Sequence, residues 1–281
     1  MDKNMSSGKM QSCAAQIQER RDALAAATQA LYQSFAGYRS PSGPLDACVA
    51  CCMHPDLERE MRRLPLHSLT ERHFYQYNDA AKSAVQPADE IKYLAPRMLE
   101  LLAQGARLHH STELYLDRLG RCEPGSFSSR ESAALQGFAQ AFFALGLEQW
   151  AEPEAGVFQG DEAFSVLLMW DYAGVPLQPL LDHWLTCDSE SATLHFVDAC
   201  FYEFIWGGPC ISNAFASDRK GYRATMEQWL TQTTTKKHWA KQLLRLAERG
   251  TASTWLPSGM RDHERYPLDE RMGAVFDAMA A

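Results

Sequence analysis

Apolar positions along this chain recur at intervals of three and four, and no stretch alternates with period two between hairpin turns. Ile17, Leu24, Leu31 and Phe35 mark one face of a helix from about Gln11 to Phe35, with alanines filling much of the rest. The prolines and glycine of Arg39–Pro44 end it. Pro55 to Arg63 predicts a short helix with proline in its first turn. Ser68-Leu69-Thr70-Glu71 has the form of a capping box and opens a helix to about Ala84. From Ala88 to Gln104, Ile91, Leu94, Met98, Leu101 and Leu102 share a face, and Pro96 inside this helix predicts a kink. Thr112 to Leu119 reads as a short helix closed by Gly120. A second capping box, Ser128-Ser129-Arg130-Glu131, opens a long helix through Phe138, Phe142, Leu145 and Trp150, where Gly137 and Gly146 either weaken the helix or admit a close neighbour.

Further helices are expected over Asp161–Tyr172, Pro179–Thr186 and, capped by Asp188, to Trp206, where Gly207-Gly208 stops it. Arg219–Leu230, Thr235–Arg249 and Pro267–Met279 complete the series, with a loop over Thr251–Tyr266. The fold class is all-α, as an irregular helical bundle or a short HEAT-like solenoid of antiparallel helix pairs. Residues 1–10 are expected to be a flexible lead, and residues 11–281 a single helical domain.

Charge changes the picture. Residues 131–218 contain no lysine or arginine and thirteen acids, whereas residues 1–130 carry 16 basic and 15 acidic groups and residues 219–281 carry 11 and 7. The whole excess behind the net charge of −8 therefore sits in the middle of the chain. Such segregation serves solubility, or else provides a docking face for a cationic partner. An acidic balance argues against direct nucleic-acid binding. No apolar run approaches the ~20 residues of a membrane span, and Met1–Met10 lacks the apolar core of a secretory signal. The expected location is the cytoplasm, with most of the eight cysteines free thiols.

The segment Cys48–Leu102 resembles an uncharacterised all-helical bacterial family. That pattern has an N-terminal Cys-x-x-Cys-type cluster, a Pro-Leu-x-x-Leu-Thr turn, a helix with tyrosine and lysine, and a Leu-Pro-Arg-x-Leu-Glu-Leu-Leu-like helix. The matching residues are Cys48 with Cys51-Cys52, Pro65 to Thr70, Tyr77 and Lys82, then Asp89-Glu90 and Tyr93 to Leu102. The chain departs from the pattern at Val49-Ala50, where a proline is missing. The resemblance implies a helical fold and brings no activity.

Candidate chemistry is sparse. Cys48-x-x-Cys51 has zinc-ligand spacing, and Cys52 or His54 could add a ligand, with His109-His110 or Cys122 supplying a fourth from another helix. The competing reading is reduced structural thiols, so no cofactor is assigned and zinc stays an alternative. His195 and Asp198, one turn apart with Tyr202 beyond, form either an acid/base pair or a surface hydrogen bond. Cys210, after Gly207-Gly208-Pro209, is a conceivable nucleophile. No nucleophile elbow, phosphate loop, dinucleotide motif, His-Glu-x-x-His or Glu-x-x-His occurs.

Aromatic residues interleave with the acids, most densely around Glu148, Trp150, Glu152, Glu154, Phe158, Asp161 and Glu162. Acids around aromatic anchors make a hot spot for a basic protein, and these seven are the expected partner-binding residues. The function expected is a protein-binding neutraliser. Its most concrete form is an immunity protein whose acidic helical face blocks the basic cleft of a cognate toxin domain. Alternatives are a zinc- or thiol-dependent enzyme centred on Cys48–His54 and a helical scaffold protein.

Overall fold

The computed structural model describes residues 3–153, 155–250, 256 and 265–281. Among them there are α-helices and short helical turns but no strand, so the fold is all-α. The chain divides into two compact units, Met1–Leu145 with Met169–Pro176, and Gly146–Leu168 with Leu177–Ala281. Both draw on residues 131–218, so the units do not follow the charge regions of the sequence.

In the first unit, α1 (Lys3–Ser34) begins before the predicted Gln11, and packs Leu24 and Leu31 against α4 (Ala88–Ala103). Between them come α2 (Pro55–Arg63) and α3 (Glu71–Asp79). His54 caps α2 by accepting from Asp56 N at 3.2 Å. The capping box of α3 is not the predicted Ser68–Glu71 pair. Thr70 caps the helix, and the His73 imidazole reaches back to accept from Thr70 N at 3.1 Å through Nδ1. The His73 Nε2 is thereby left to bond Glu60, 2.9 Å away. The predicted Thr112–Leu119 helix is two pieces, a tight turn at Thr112–Leu114 and α5 (Asp117–Gly120). A Cβ at Gly120 would overlap the Tyr172 carbonyl, so only glycine permits this approach. The second predicted capping box is present: Glu131 N lies 3.3 Å from Ser128 Oγ, and Ser128 N donates to Glu131 at 2.7 Å, opening α6 (Ser129–Leu147).

The most demanding feature of this unit is a guanidinium taken almost wholly out of water. Arg118 is 1 % exposed. It donates to the carbonyls of Asp46 at 2.7 Å and Ala80 at 3.4 Å, to Gln86 Oε1 at 2.6 Å, and to the Tyr77 carbonyl. Its plane lies 3.8 Å from the Tyr77 ring centroid. The Tyr77 hydroxyl in turn donates to Glu90 at 2.6 Å, and Glu90 accepts from Asp46 N. One buried side chain thus ties the end of α3, the loop at Asp46 and the start of α4 into a single polar network.

The second unit contains α7 (Ala163–Tyr172, entered at its N-terminal end), α8 (Gln178–Thr186), α9 (Glu190–Cys200), α10 (Lys220–Thr231), α11 (Thr233–Ala247) and α12 (Leu268–Ala280). Ser189, not Asp188, caps α9, accepting from Ala192 N at 3.1 Å. The predicted run to Trp206 stops being α-helical at Cys200, and Phe201–Ile205 forms a π-helical turn. The core is aromatic. Phe196 stacks on Trp239 at 4.0 Å between centroids, and Trp184 lies 5.8 Å from Trp229. The loop expected over Thr251–Tyr266 falls mostly outside the described residues.

Replacing Arg118 by Leu leaves three carbonyls and Gln86 buried without their donor. The expected loss is about 3–5 kcal/mol in urea unfolding, with little recovered by Arg118→Lys because an ammonium cannot reproduce the fork. A loss below ~1 kcal/mol in Arg118→Leu would show that the network is not what holds these segments.

Candidate functional site

Part of the acidity of residues 131–218 is answered from the C-terminal segment. Within the second unit, Arg249 bonds Glu190 at 2.7 Å, Arg245 lies 3.4 Å from Asp188, and Arg271 bonds Asp198. Glu131 belongs to the first unit, where Lys92 lies 3.2 Å away and Tyr38 donates at 2.6 Å.

Two further acids, Asp161 and Glu162, lie with Asp198 in the lining of a cleft in the second unit. It is a small cleft of about 50 Å³, lined by Trp150, Phe158, Asp161, Glu162, His195 and Asp198 with Gly146 and Ala163. Its wall is the segment between α6 and α7. Trp150 N donates to Ser191 Oγ at 2.9 Å, and Val157 N to Gln149 Oε1 at 3.0 Å. The turn into Asp161 uses two left-handed residues, Gln159 at φ 54° and Gly160 at φ 83°. A Cβ at Gly146 would overlap the Phe158 ring, so this glycine is what lets the ring settle against α6.

The chemistry of the cleft is set by desolvated carboxyls. Burial, then the negative charges of Glu203 and Asp198, push the Glu162 carboxyl up to about 8; its hydrogen bond with Glu203 and the charge of Asp161 add to this. Glu162 therefore keeps a proton at neutral pH and shares a hydrogen bond with Glu203. Glu203 stands on the π-helical turn and is held by Ser165 at 3.2 Å and Asn213 at 3.1 Å. His195 is buried, which pulls its pKa down to about 4, and it hydrogen-bonds the Gly146 carbonyl. Its Nε2 has no partner among the described residues. Trp150 and Phe158 meet the imidazole edge-on at 5.2 and 5.4 Å. His195 and Asp198 do not pair with each other, since Asp198 bonds Arg271 and His195 bonds the backbone.

Of the residues expected to bind a partner, Trp150, Phe158, Asp161 and Glu162 line this cleft. Trp150, Asp161 and Glu162 are half-buried, and Phe158 and Glu148 are buried. Glu152 is exposed, and Glu154 lies outside the described residues. Glu203 was missed, although an acid inside the apolar run Cys200–Phe204 is a signal of a buried charge.

The first unit carries two groups of metal-ligand type. The sulfurs of Cys48, Cys51 and Cys52 lie together, with Cys48 to Cys51 at 3.6 Å and Cys51 to Cys52 at 3.4 Å. Backbone N–H groups of Cys51 and Ala50 donate to the Cys48 sulfur and pull its pKa down to about 7, while hydrogen bonds with Cys52 and Cys48 push Cys51 up to about 11. These three thiols could hold a metal ion. His54, Cys122, His109 and His110, the other ligands considered from the sequence, do not join them. Asp79, which the sequence did not single out, gathers His110 Nδ1 at 2.8 Å and His109 Nε2 at 3.4 Å instead. The described cysteines are free thiols, with Cys187 and Cys200 buried and Cys210 exposed. No described helix is long and apolar enough to cross a membrane.

The raised Glu162 pKa makes stability depend on pH with a defined sign. Between its unfolded value near 4.5 and about 8 the folded state holds a proton that the unfolded chain has lost, so stability falls as pH rises through this window. His195 acts oppositely, but only between about 4 and the ordinary imidazole value of about 6.5. From pH 6.5 to 8 the Glu162 contribution should stand clear of His195, with a slope up to about 1.4 kcal/mol per pH unit. Urea unfolding across that range should show the decline in the wild type and its loss in Glu162→Gln; equal slopes would contradict the assignment. No family model, no curated protein and no solved structure matches the chain.

Proposed function

We propose that this protein binds a basic protein partner, and that the cleft of the second unit receives a cationic side chain of that partner. The observation that carries the reading is the retained proton on Glu162. Burial, together with the negative charges of Glu203, Asp198 and Asp161 around it, raises the Glu162 carboxyl so that it keeps its proton. A guanidinium or ammonium entering the cleft would displace that proton and take its place. The other polar groups suit such a guest. The carboxylates accept, the His195 Nε2 below them is an unmet acceptor, and the Trp150 ring offers a face for a cation. Arg271 already holds Asp198 and limits the cleft to about one added positive charge.

In its most concrete form the protein is an immunity protein, and the partner is a toxin domain with a basic cleft for phosphates. A helical scaffold that presents acids around aromatic anchors fits a neutraliser, and long-range attraction between opposite charges makes capture fast. Exposed Glu152 at the rim contributes to attraction more than to affinity.

The proposal is tested by capture from native host lysate at low and high salt, read by mass spectrometry, with wild-type protein and Glu162→Lys. The variant supplies the cation internally and so fills the site. One stoichiometric basic protein should bind the wild type, weaken with salt, and bind the variant at least ~30-fold more weakly, corresponding to about 2 kcal/mol. Circular dichroism confirms that the variant folds. Equal capture by both proteins would remove the cleft from the interface.

A further inference from the structure

The thiol group of the first unit has features that structural cysteines lack. Cys51 and Cys52 are exposed, so they contribute nothing to a core, whereas Cys187 and Cys200 of the second unit are buried as small hydrophobes. An exposed free thiol is a liability unless it has a task. Cys51, Cys52 and the half-buried Cys48, on a loop of five residues with their sulfurs gathered within 4.8 Å, make a donor set.

The loop is also built to hold them in place. Cys48 N donates to the Ala81 carbonyl at 2.8 Å, Met53 N to the Cys48 carbonyl at 2.9 Å, and His54 N to Gln76 Oε1 at 2.8 Å. Met53 is buried at the far end of the turn. At the near end, Asp46 is held by Ser83 and Gln86, and its carbonyl by Arg118. Inside this frame the N–H groups of Ala50 and Cys51 point at the Cys48 sulfur. Amide donors to a sulfur stabilise its thiolate form, which is the form that ligates metal.

The spacing matches a coordination shell. Metal–sulfur bonds of about 2.3 Å arranged tetrahedrally put neighbouring sulfurs about 3.8 Å apart. The observed 3.6 and 3.4 Å fall a few tenths of an ångström inside that value without any S–S bond. Three thiolates select a soft cation over a hard one. No fourth protein ligand converges among the described residues, which leaves one side of the shell open to solvent.

We propose that Cys48, Cys51 and Cys52 bind one thiophilic d10 cation, Zn(II) or Cu(I), as three thiolates. Zn(II) completes a tetrahedron with a water, while Cu(I) is satisfied by three sulfurs. Binding expels the thiol protons, so the affinity rises with pH. The proposal is independent of the cleft in the second unit.

The test uses the full-length chain, tag-free and fully reduced without oxygen, titrated with Zn(II) and separately with Cu(I) against a competing chromophoric chelator. One ion per chain is expected, and the coordination number read by X-ray absorption, four for Zn(II) with a water and three for Cu(I), tests each assignment. Cys51→Ser and Cys52→Ser should each weaken binding by more than ~100-fold, beyond what loss of an outer-shell partner costs, while Cys122→Ser leaves it unchanged. The bound ion should also protect Cys48, Cys51 and Cys52 of the wild type from iodoacetamide, read by peptide mass spectrometry, a result that does not depend on how any variant folds. Failure to bind either ion, or binding and protection unrelated to these three residues, would overturn the proposal.

Discussion

Charge removed from water must be answered by something nearby, and each unit is arranged around one such requirement. In the first unit the charge is Arg118, and its two terminal nitrogens are answered by the backbone carbonyls of Asp46, Tyr77 and Ala80 and the Gln86 amide, with the face of Tyr77 against the guanidinium. Those acceptors lie on segments far apart in sequence, so satisfying the guanidinium also fixes their positions. The loop bearing Cys48 leaves this network at Asp46, and Asp79 directly precedes Ala80. Each candidate metal-ligand group thus includes one residue within two positions of a carbonyl that Arg118 holds.

In the second unit the buried charges are carboxyls, and the answer is incomplete. Glu203 has Ser165 and Asn213, and Asp198 has Arg271, but Glu162 is met by another acid. The group stays neutral by keeping its proton. Under the proposed function, a cationic guest would replace this proton without having to displace a salt bridge at Glu162. The surrounding aromatics, Trp150 and Phe158, exclude water and so strengthen any charge pairing that forms there.

The helices were legible because their apolar stripes are periodic and their ends carry ordinary signals, as at Ser128 and Glu131 or at Pro55. Misplaced boundaries have local causes. At Thr70 the reciprocal partner is an imidazole in place of the usual carboxylate, and at α9 Ser189 competed with an equally good neighbour, Asp188. The π-helical turn at Phe201–Ile205 left no trace in the pattern, since Phe201 and Phe204 are buried at the same three-residue spacing that an α-helix would give. The candidate site was half legible. Trp150, Phe158, Asp161 and Glu162 are close in sequence and mix acids with aromatics, whereas Glu203 meets Glu162 from the distant π-helical turn. The segregated charge suggested one acidic surface, but pairing of Asp188, Glu190 and Asp198 with arginines beyond residue 219 is tertiary information that linear charge counting does not hold. The cysteine cluster was legible from spacing alone, while its isolation from His54 and His109-His110 was not.

The central claim is that Glu162 holds a proton at neutral pH because it is buried among other acids. The most direct measurement is a carbon-detected NMR titration of the glutamate side-chain carboxyls, with Glu162 assigned by its absence in Glu162→Gln. The account predicts a midpoint near 8 for this residue in the free protein, and a fall into the ordinary carboxylate range, about 4, when an arginine-rich peptide is added. A midpoint near 4 in the free protein, or one near 8 that the peptide binds without moving, would contradict it.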